Sequence, residues 1–247
     1  MILSGVTLLG TTVVDHPPVI TTSLKQYYDI GNASSYSGAG TSVTDLAAGG
    51  YGTGTLVNTP TYTSAGNRSY LSLNGSNQYF WTPNLYTMVQ GTLNVTLEAW
   101  VRTSADNGVV VDEQGNTPFF NGWHDAQIAI VSGALKGAVW PYTNIITGGS
   151  VTRNVWQQYA LTYNHSSTTQ TLYINGVSQG SSTITRSFDP SAAPNPGLWY
   201  AIGLGDITNI GDTSYLACDW SIFRVYNRAL STDEILQNYQ AESCRYY

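Results

Sequence analysis

Charge is scarce in this chain. Only 10% of its 247 residues are Asp, Glu, Lys or Arg, against about 25% in ordinary soluble domains. Basic residues are the scarcer sign: nine Lys and Arg face fifteen Asp and Glu, a net charge of -6. A surface this poor in cations cannot neutralise a phosphate backbone, so direct nucleic-acid binding is excluded. Cysteine is limited to Cys218 and Cys244. Two residues cannot build a multi-bridge scaffold and lack C-x-x-C metal spacing; two free thiols are expected, a single bridge to the C-terminal tail being the alternative. No apolar run approaches the roughly 18 to 20 residues of a helical membrane span. The apolar N-terminus has neither a basic leading region nor an A-x-A site, so it does not read as an export signal.

What fills the chain instead is small polar residues and aromatics. Gly, Ser, Thr and Asn are abundant, Tyr alone numbers 18, and 42% of residues are hydrophobic. That mixture belongs to strands and tight turns around a real core. In 93–102, Leu93, Val95, Leu97, Ala99 and Val101 alternate with Asn94, Thr96, Glu98, Trp100 and Arg102, the signature of a strand with one face in the core. Tyr159, Leu161 and Tyr163 alternate likewise, and Leu172 and Ile174 precede Asn175-Gly176, the strongest short hairpin signal. Asn74-Gly75 marks a second turn. Residues 220–226 are apolar on both faces, which predicts a central, covered strand. Between 31 and 66 the glycine-rich sequence predicts loops joined by short strands. One helix is expected, after Ser231-Thr232-Asp233-Glu234, a capping-box sequence followed by Ile235, Leu236 and Tyr239 on one face. Many strands and one late helix predict an all-β, two-sheet sandwich or jelly roll.

Catalytic signatures are few. Glycoside hydrolysis needs two carboxyl groups flanking the sugar bond, and the chain has only four glutamates, Glu98, Glu113, Glu234 and Glu242. Glu98 is the best single candidate because it shares a strand face with Trp100; a structural role is the stronger expectation. His16, His124 and His165 are far apart and show no metal spacing. There is no G-x-S-x-G elbow, H-E-x-x-H helix or P-loop, and Gly203-Leu204-Gly205 reads as a turn. The expectation is a protein that is not an enzyme.

The ordered phrases Leu71-Ser72-Leu73-Asn74-Gly75, Thr96-Leu97-Glu98-Ala99-Trp100-Val101, Trp156 to Tyr163, Leu172-Tyr173-Ile174-Asn175-Gly176 and Phe223 to Ser231 together resemble the laminin-G-like, concanavalin A-like jelly-roll family. Upstream, Tyr27 to Asn32 and Leu56 to Tyr62 resemble the form of that family found in structural proteins of bacteriophages and large algal viruses. The E-x-D-x-x-E strand of the family's glycosidases does not occur. The resemblance implies an antiparallel two-sheet jelly roll with one short C-terminal helix over residues 25–240, an apolar N-terminal arm at 1–24 and a C-terminal tail at 241–247.

Three kinds of site are consistent with that family. An aromatic platform for a glycan would use Trp123, His124, Trp199 and Tyr200, with Trp140-Pro141-Tyr142 as a further candidate. Calcium, held by some members at the sandwich rim, would use Asp206, Asp212 and Asp219, while Asp112 and Glu113 form a second acidic pair. The uncharged arm carries Ile2, Leu3, Val6, Leu8, Leu9, Val13 and Val14, apolar surface suited to a partner subunit. The resulting expectation is a non-enzymatic virion component, in a capsid, decoration or fibre, that forms oligomers through protein contacts. The alternative is an extracellular, lectin-like module that recognises surface glycans.

Overall fold

The computed structural model describes residues 16–89, 92–115, 124–141, 144–186, 197–205 and 215–247. In chain order the strands are β1 (Leu24–Asp29), β2 (Ser42–Val43), β3 (Gly54–Val57), β4 (Thr61–Thr63), β5 (Tyr70–Asn74) and β6 (Tyr79–Trp81). After the four-residue helix α1 (Tyr86–Val89) come β7 (Val95–Arg102), β8 (Gly108–Gln114), β9 (His124–Val131), β10 (Ala134–Gly137) and β11 (Ile146–Ser150). The last are β12 (Gln157–Asn164), β13 (Thr169–Ile174), β14 (Val177–Thr183), β15 (Trp199–Ile202), β16 (Ala217–Tyr226) and the helix α2 (Thr232–Ser243).

They form two antiparallel sheets, as the sequence predicts. The first has the order β14-β13-β12-β7-β16-β5-β4, with β1 also pairing β16; the second has the order β11-β10-β9-β8-β15-β6-β3-β2. β16 is central, flanked by β7 on one side and by β5 and β1 end to end on the other. Asn175 and Gly176, at φ 52° and 77°, make the predicted hairpin turn, a twist-matched conformation that glycine adopts without strain. A Cβ at Gly176 would also lie 2.9 Å from Leu236 of α2, so the turn and the helix are fitted to each other. Asn74-Gly75 is a turn of a different kind, since β5 and β6 belong to different sheets.

Val95, Leu97, Ala99 and Val101 face the sandwich interior and are fully buried, with Leu93 half-buried at its edge. Aromatic rings span the two sheets: Phe80 lies 4.8 Å from Tyr28 and 4.7 Å from Trp220, centroid to centroid. The alternate residues of β7 are buried as well, which alternation alone does not predict. α2 and the residues after it cover that outer face. Trp100 stacks between Tyr239 and Tyr246 at 5.7 and 4.4 Å, and Glu98 lies under Asn238, whose Nδ2 donates to both carboxylate oxygens at 3.1 and 2.9 Å.

Ser231 caps α2 as expected: Glu234 N–H donates to its hydroxyl, and the Glu234 carboxylate accepts from the Ser231 N–H. The helix runs past residue 240, so the expected boundary of the C-terminal tail falls inside it. Beyond it, Arg245 donates to Asp29 at 2.8 and 2.7 Å and to Glu242 at 2.8 Å. Arg224 pairs with Glu242 and lies over the Tyr27 ring at 4.4 Å. The chain before β1 is fixed too. Ile20 N–H donates to Asn238 at 2.8 Å, and Tyr226 OH donates back to Ile20 C=O at 3.0 Å. The stretch 16–23 is therefore part of the folded body despite Pro17-Pro18; the expected arm residues Ile2, Leu3, Val6, Leu8, Leu9, Val13 and Val14 lie outside the described residues. Cys218 and Cys244 are free thiols.

Leu97→Asp would place an unpaired charge among fully buried neighbours and is expected to destabilise the fold by several kcal/mol. Unchanged thermal unfolding would refute the assignment of this face to the core. Glu98 gives a pH-dependent prediction. Burial pushes its carboxyl up to about 7, ahead of the opposing Arg224 guanidinium, which stands 3.8 Å away and is engaged by Glu242. The folded state therefore holds a proton that the unfolded state releases near the ordinary carboxylate value. The stability contributed by the neutral carboxyl is complete below that value and is lost as pH rises through about 7. Glu98→Gln removes this loss, so urea unfolding at pH 4.5 and pH 8 should show the variant gaining about 1 to 3 kcal/mol relative to wild type. A constant difference between the two proteins at both pH values would contradict it.

Candidate functional site

The second sheet carries the arrangement best suited to a ligand. Gln114, the last residue of β8, pairs with His124 of β9 on one side and Trp199 of β15 on the other. Residues directly opposite across strands share a face, so Gln114 and Trp199 form one row. The adjacent row runs Ala126, Asp112, Ala201, Trp81 and Thr55. Strand alternation puts both rows on the face turned away from the core, because the intervening Glu113, Tyr200 and Ile202 point inward.

Trp81 and Trp199 are both half-buried, each showing part of an indole at this surface. The backbone of Gly197 packs directly on the Trp199 ring, where a Cβ would come within 2.0 Å of it. Asn84 Oδ1 accepts from Leu198 N–H at 3.1 Å, which fixes the backbone beside Trp199. On β8, beside Trp199 and two strands from Trp81, Gln114 donates its amide N–H to Asp112. The amide oxygen of Gln114 is buried and has no hydrogen-bond partner among the described residues. A buried acceptor left in that state costs about 1–3 kcal/mol.

Of the proposed platform, Trp199 lies in the strip, the backbone of His124 lies opposite Gln114, and Trp123 lies outside the described residues. Tyr200 follows Trp199 in the same strand and so points the opposite way. It is fully buried, and its hydroxyl donates to Glu113 Oε2 at 2.8 Å. Arg186 donates to the same carboxylate at 2.6 and 2.8 Å, and burial drives the Tyr200 hydroxyl well above its ordinary value. Tyr200 accordingly anchors the interior and offers no ring to the surface. Trp81, Gln114 and the placement of Asp112 are what sequence reading missed. Tyr79-Phe80-Trp81 carries the period of a strand, yet nothing local says that Trp81 will stand beside Asp112.

The acidic candidates separate in the same manner. Asp206 and Asp212 lie outside the described residues. Asp219 accepts from Arg102 Nε and Nη2 at 2.9 and 2.7 Å and from Ser72 at 2.6 Å, so its carboxylate is occupied. Asp112 and Glu113 face opposite sides of the sheet and cannot share one cation. Among the described residues no group of three or more His, Cys, Asp or Glu could hold a metal ion. His16 contacts the Gln240 carbonyl at 3.0 Å and His165 contacts Tyr163 OH at 3.4 Å, far from this face. Among the described residues no helix is long and apolar enough to cross a membrane.

Comparison with solved structures identifies similar folds at low sequence identity. Domain 4 of AbnA, a GH43 extracellular arabinanase from Geobacillus stearothermophilus solved in complex with arabinotriose, superposes with TM-score 0.58 at 17% identity, over 87% of this chain and 98% of that domain. A Trypanosoma rangeli sialidase in complex with sialic acid gives 0.64 at 14% identity, over 94% of this chain and 36% of the sialidase. The botulinum neurotoxin type G receptor binding domain gives 0.56 at 15% identity, over 89% of this chain and 51% of that one. The chain thus matches the whole of the arabinanase domain but only about a third of the sialidase and half of the toxin fragment. No curated protein matches the sequence. A family model described as the Concanavalin A-like lectin/glucanases superfamily matches residues 74–236. That span runs from the end of β5 into α2, well over half of the chain, and the protein therefore belongs to the concanavalin A-like lectin/glucanase superfamily.

Proposed function

We propose that this protein is a carbohydrate-binding module that acts without turnover. The observation that carries the reading is the strip on the second sheet, where the half-buried Trp81 and Trp199 stand on neighbouring strands, with the Gln114 amide directly opposite Trp199 on the next strand. A sugar ring offers a C–H face to an indole and hydroxyl donors to an amide oxygen, and this strip supplies both. The likeness to an arabinanase domain bound to arabinotriose and to a toxin receptor-binding domain supports the same class of ligand, presented outside the cell. The absence of turnover is supported by the state of the glutamates. Glu98 is bonded to Asn238, Glu113 to Arg186, Glu234 to Arg228 and Glu242 to Arg245. Each is held in a structural contact, and none faces another across an open groove.

Calorimetric titration with arabinotriose, backed by a broader glycan array, tests this reading. Trp199→Ala and Gln114→Leu are each expected to weaken binding by about tenfold or more, a change of about 1.4 kcal/mol or above, with unaltered thermal unfolding. Affinity equal to wild type in both variants would remove the strip from consideration.

A virion role is a second reading, favoured by the uncharged sequence of residues 1–14. The described chain starts at His16, held to the Gln240 carbonyl near the end of α2. Deleting residues 1–15 should give a folded protein with unchanged glycan binding that no longer enters oligomers or particles. Normal assembly of the truncated protein would dispose of the arm as an interface.

A further inference from the structure

Among the described residues four large apolar side chains are exposed, those of Trp140, Val177, Leu236 and Tyr247. Single exposures of this kind are ordinary, whereas clustered ones mark contact surfaces. Three of these four surround one turn. A Cβ on Gly176 would lie 2.9 Å from the Leu236 side chain and 3.2 Å from Tyr239 Cβ, so α2 is seated directly on the β13–β14 hairpin. Val177 follows that glycine and is 60% exposed. Tyr247 is 58% exposed and donates its hydroxyl to the Trp156 carbonyl, beside the side chains of Asn175 and Tyr239. Val177, Leu236, Tyr239 and Tyr247 thus make one apolar patch around Gly176. Ser178 and Gln240 next to it are exposed and uncharged; Asp233, a turn before Leu236, carries a charge.

The chain itself supplies a matching occupant. Residues 1–14 hold no charge, and eight of the fourteen are Met, Ile, Leu or Val. The residues that follow them are anchored on the helix that carries the patch. His16 Nδ1 is 3.0 Å from the Gln240 carbonyl oxygen, one turn beyond Leu236, and Gln237 donates to the Pro18 carbonyl at 2.7 Å. Three exposed side chains are too few to cover eight. In two copies related by a two-fold axis, two segments and two patches meet and cover one another. Because each segment joins the body one helical turn from a patch, such an exchange is self-complementary and closes at two copies. A stable interface takes about 20–30 residues a side, which the segment approaches only together with the patch and its border. We propose that the patch around Gly176 receives residues 1–14 of a second copy of this chain, the two segments being exchanged reciprocally in a dimer. This rests on the second reading above, that residues 1–14 form an intersubunit contact, and adds the surface that receives them.

Sedimentation velocity tests it, run with reductant because Cys244 is an exposed free thiol. The samples are the full chain, a chain lacking residues 1–15, the double variant Val177→Asp with Leu236→Asp, and Val177→Asp alone. The full chain is expected to be a dimer; the truncated chain and the double variant are expected to be monomers with cooperative thermal unfolding. Val177→Asp alone, at the most exposed position, should weaken dimerisation by about tenfold or more, which separates the effect from any fold defect at Leu236. Mixed together, the truncated chain and the double variant should form a heterodimer, since one keeps a patch and the other a segment. Its failure to form overturns the proposal. So does a monomeric full chain, or a series of oligomers growing beyond two. A dimer lost on truncation but kept in both patch variants overturns the proposal and leaves the second reading standing. A dimer kept on truncation overturns both.

Discussion

The structure depends on a set of charges buried where a sheet would ordinarily meet water. Asp29 of β1, Arg224 of β16, and Glu242 and Arg245 at the end of α2 form a continuous chain of ion pairs, with Glu98 and Asn238 beside it. In a molecule with 10% charged residues, gathering so many of them here is a specific commitment. Desolvating such charges is costly, and a buried network is stable only when its members are mutually satisfied. In return the network ties together segments that are remote in sequence: the end of β1, the later part of β16 and the last residues of the chain. It also determines which surfaces are available. With α2 seated on β7, β12 and β16, the outer face of the first sheet is covered at its centre, and the second sheet carries the aromatic strip.

The candidate site follows from that division of surfaces. It sets the half-buried indoles of Trp81 and Trp199 near the Gln114 amide on the second sheet. Several charged side chains of the two sheets are held in pairs. Arg186 and Glu113 lie inside the sandwich, Arg102 and Asp219 form a bridge under Tyr70 and Trp156, and Arg228 and Glu234 staple the turn before α2. Surfaces of this kind suit ligands recognised through shape, C–H contacts and hydroxyl hydrogen bonds. They do not favour ligands recognised through net charge.

The sequence by itself determined what depends on local period and on turn and cap chemistry. Leu97 and its alternating neighbours specify a strand with a core face, Asn175-Gly176 specifies a tight hairpin, and Ser231 with Glu234 specifies the start of α2. Each of these rests on residues within a few positions of one another, and each appears in the fold. Sequence also singled out Trp199 as a candidate ring, since aromatics are recognisable as a residue type. Tertiary structure alone decided register and cover. Trp199 and Tyr200 are adjacent and chemically alike, but the pleat sends one to the surface and the other into a buried contact with Glu113. Trp81 joins Asp112 because β6 and β8 both pair with β15, a juxtaposition separated by thirty-one positions and set by long-range hydrogen bonding (112 − 81). Likewise Glu98 reads as the polar side of an amphipathic strand, and only the arrival of α2 more than a hundred residues later removes it from water (238 − 98). Alternation fixes which residues share a face of a strand. What that face meets is fixed by the rest of the chain.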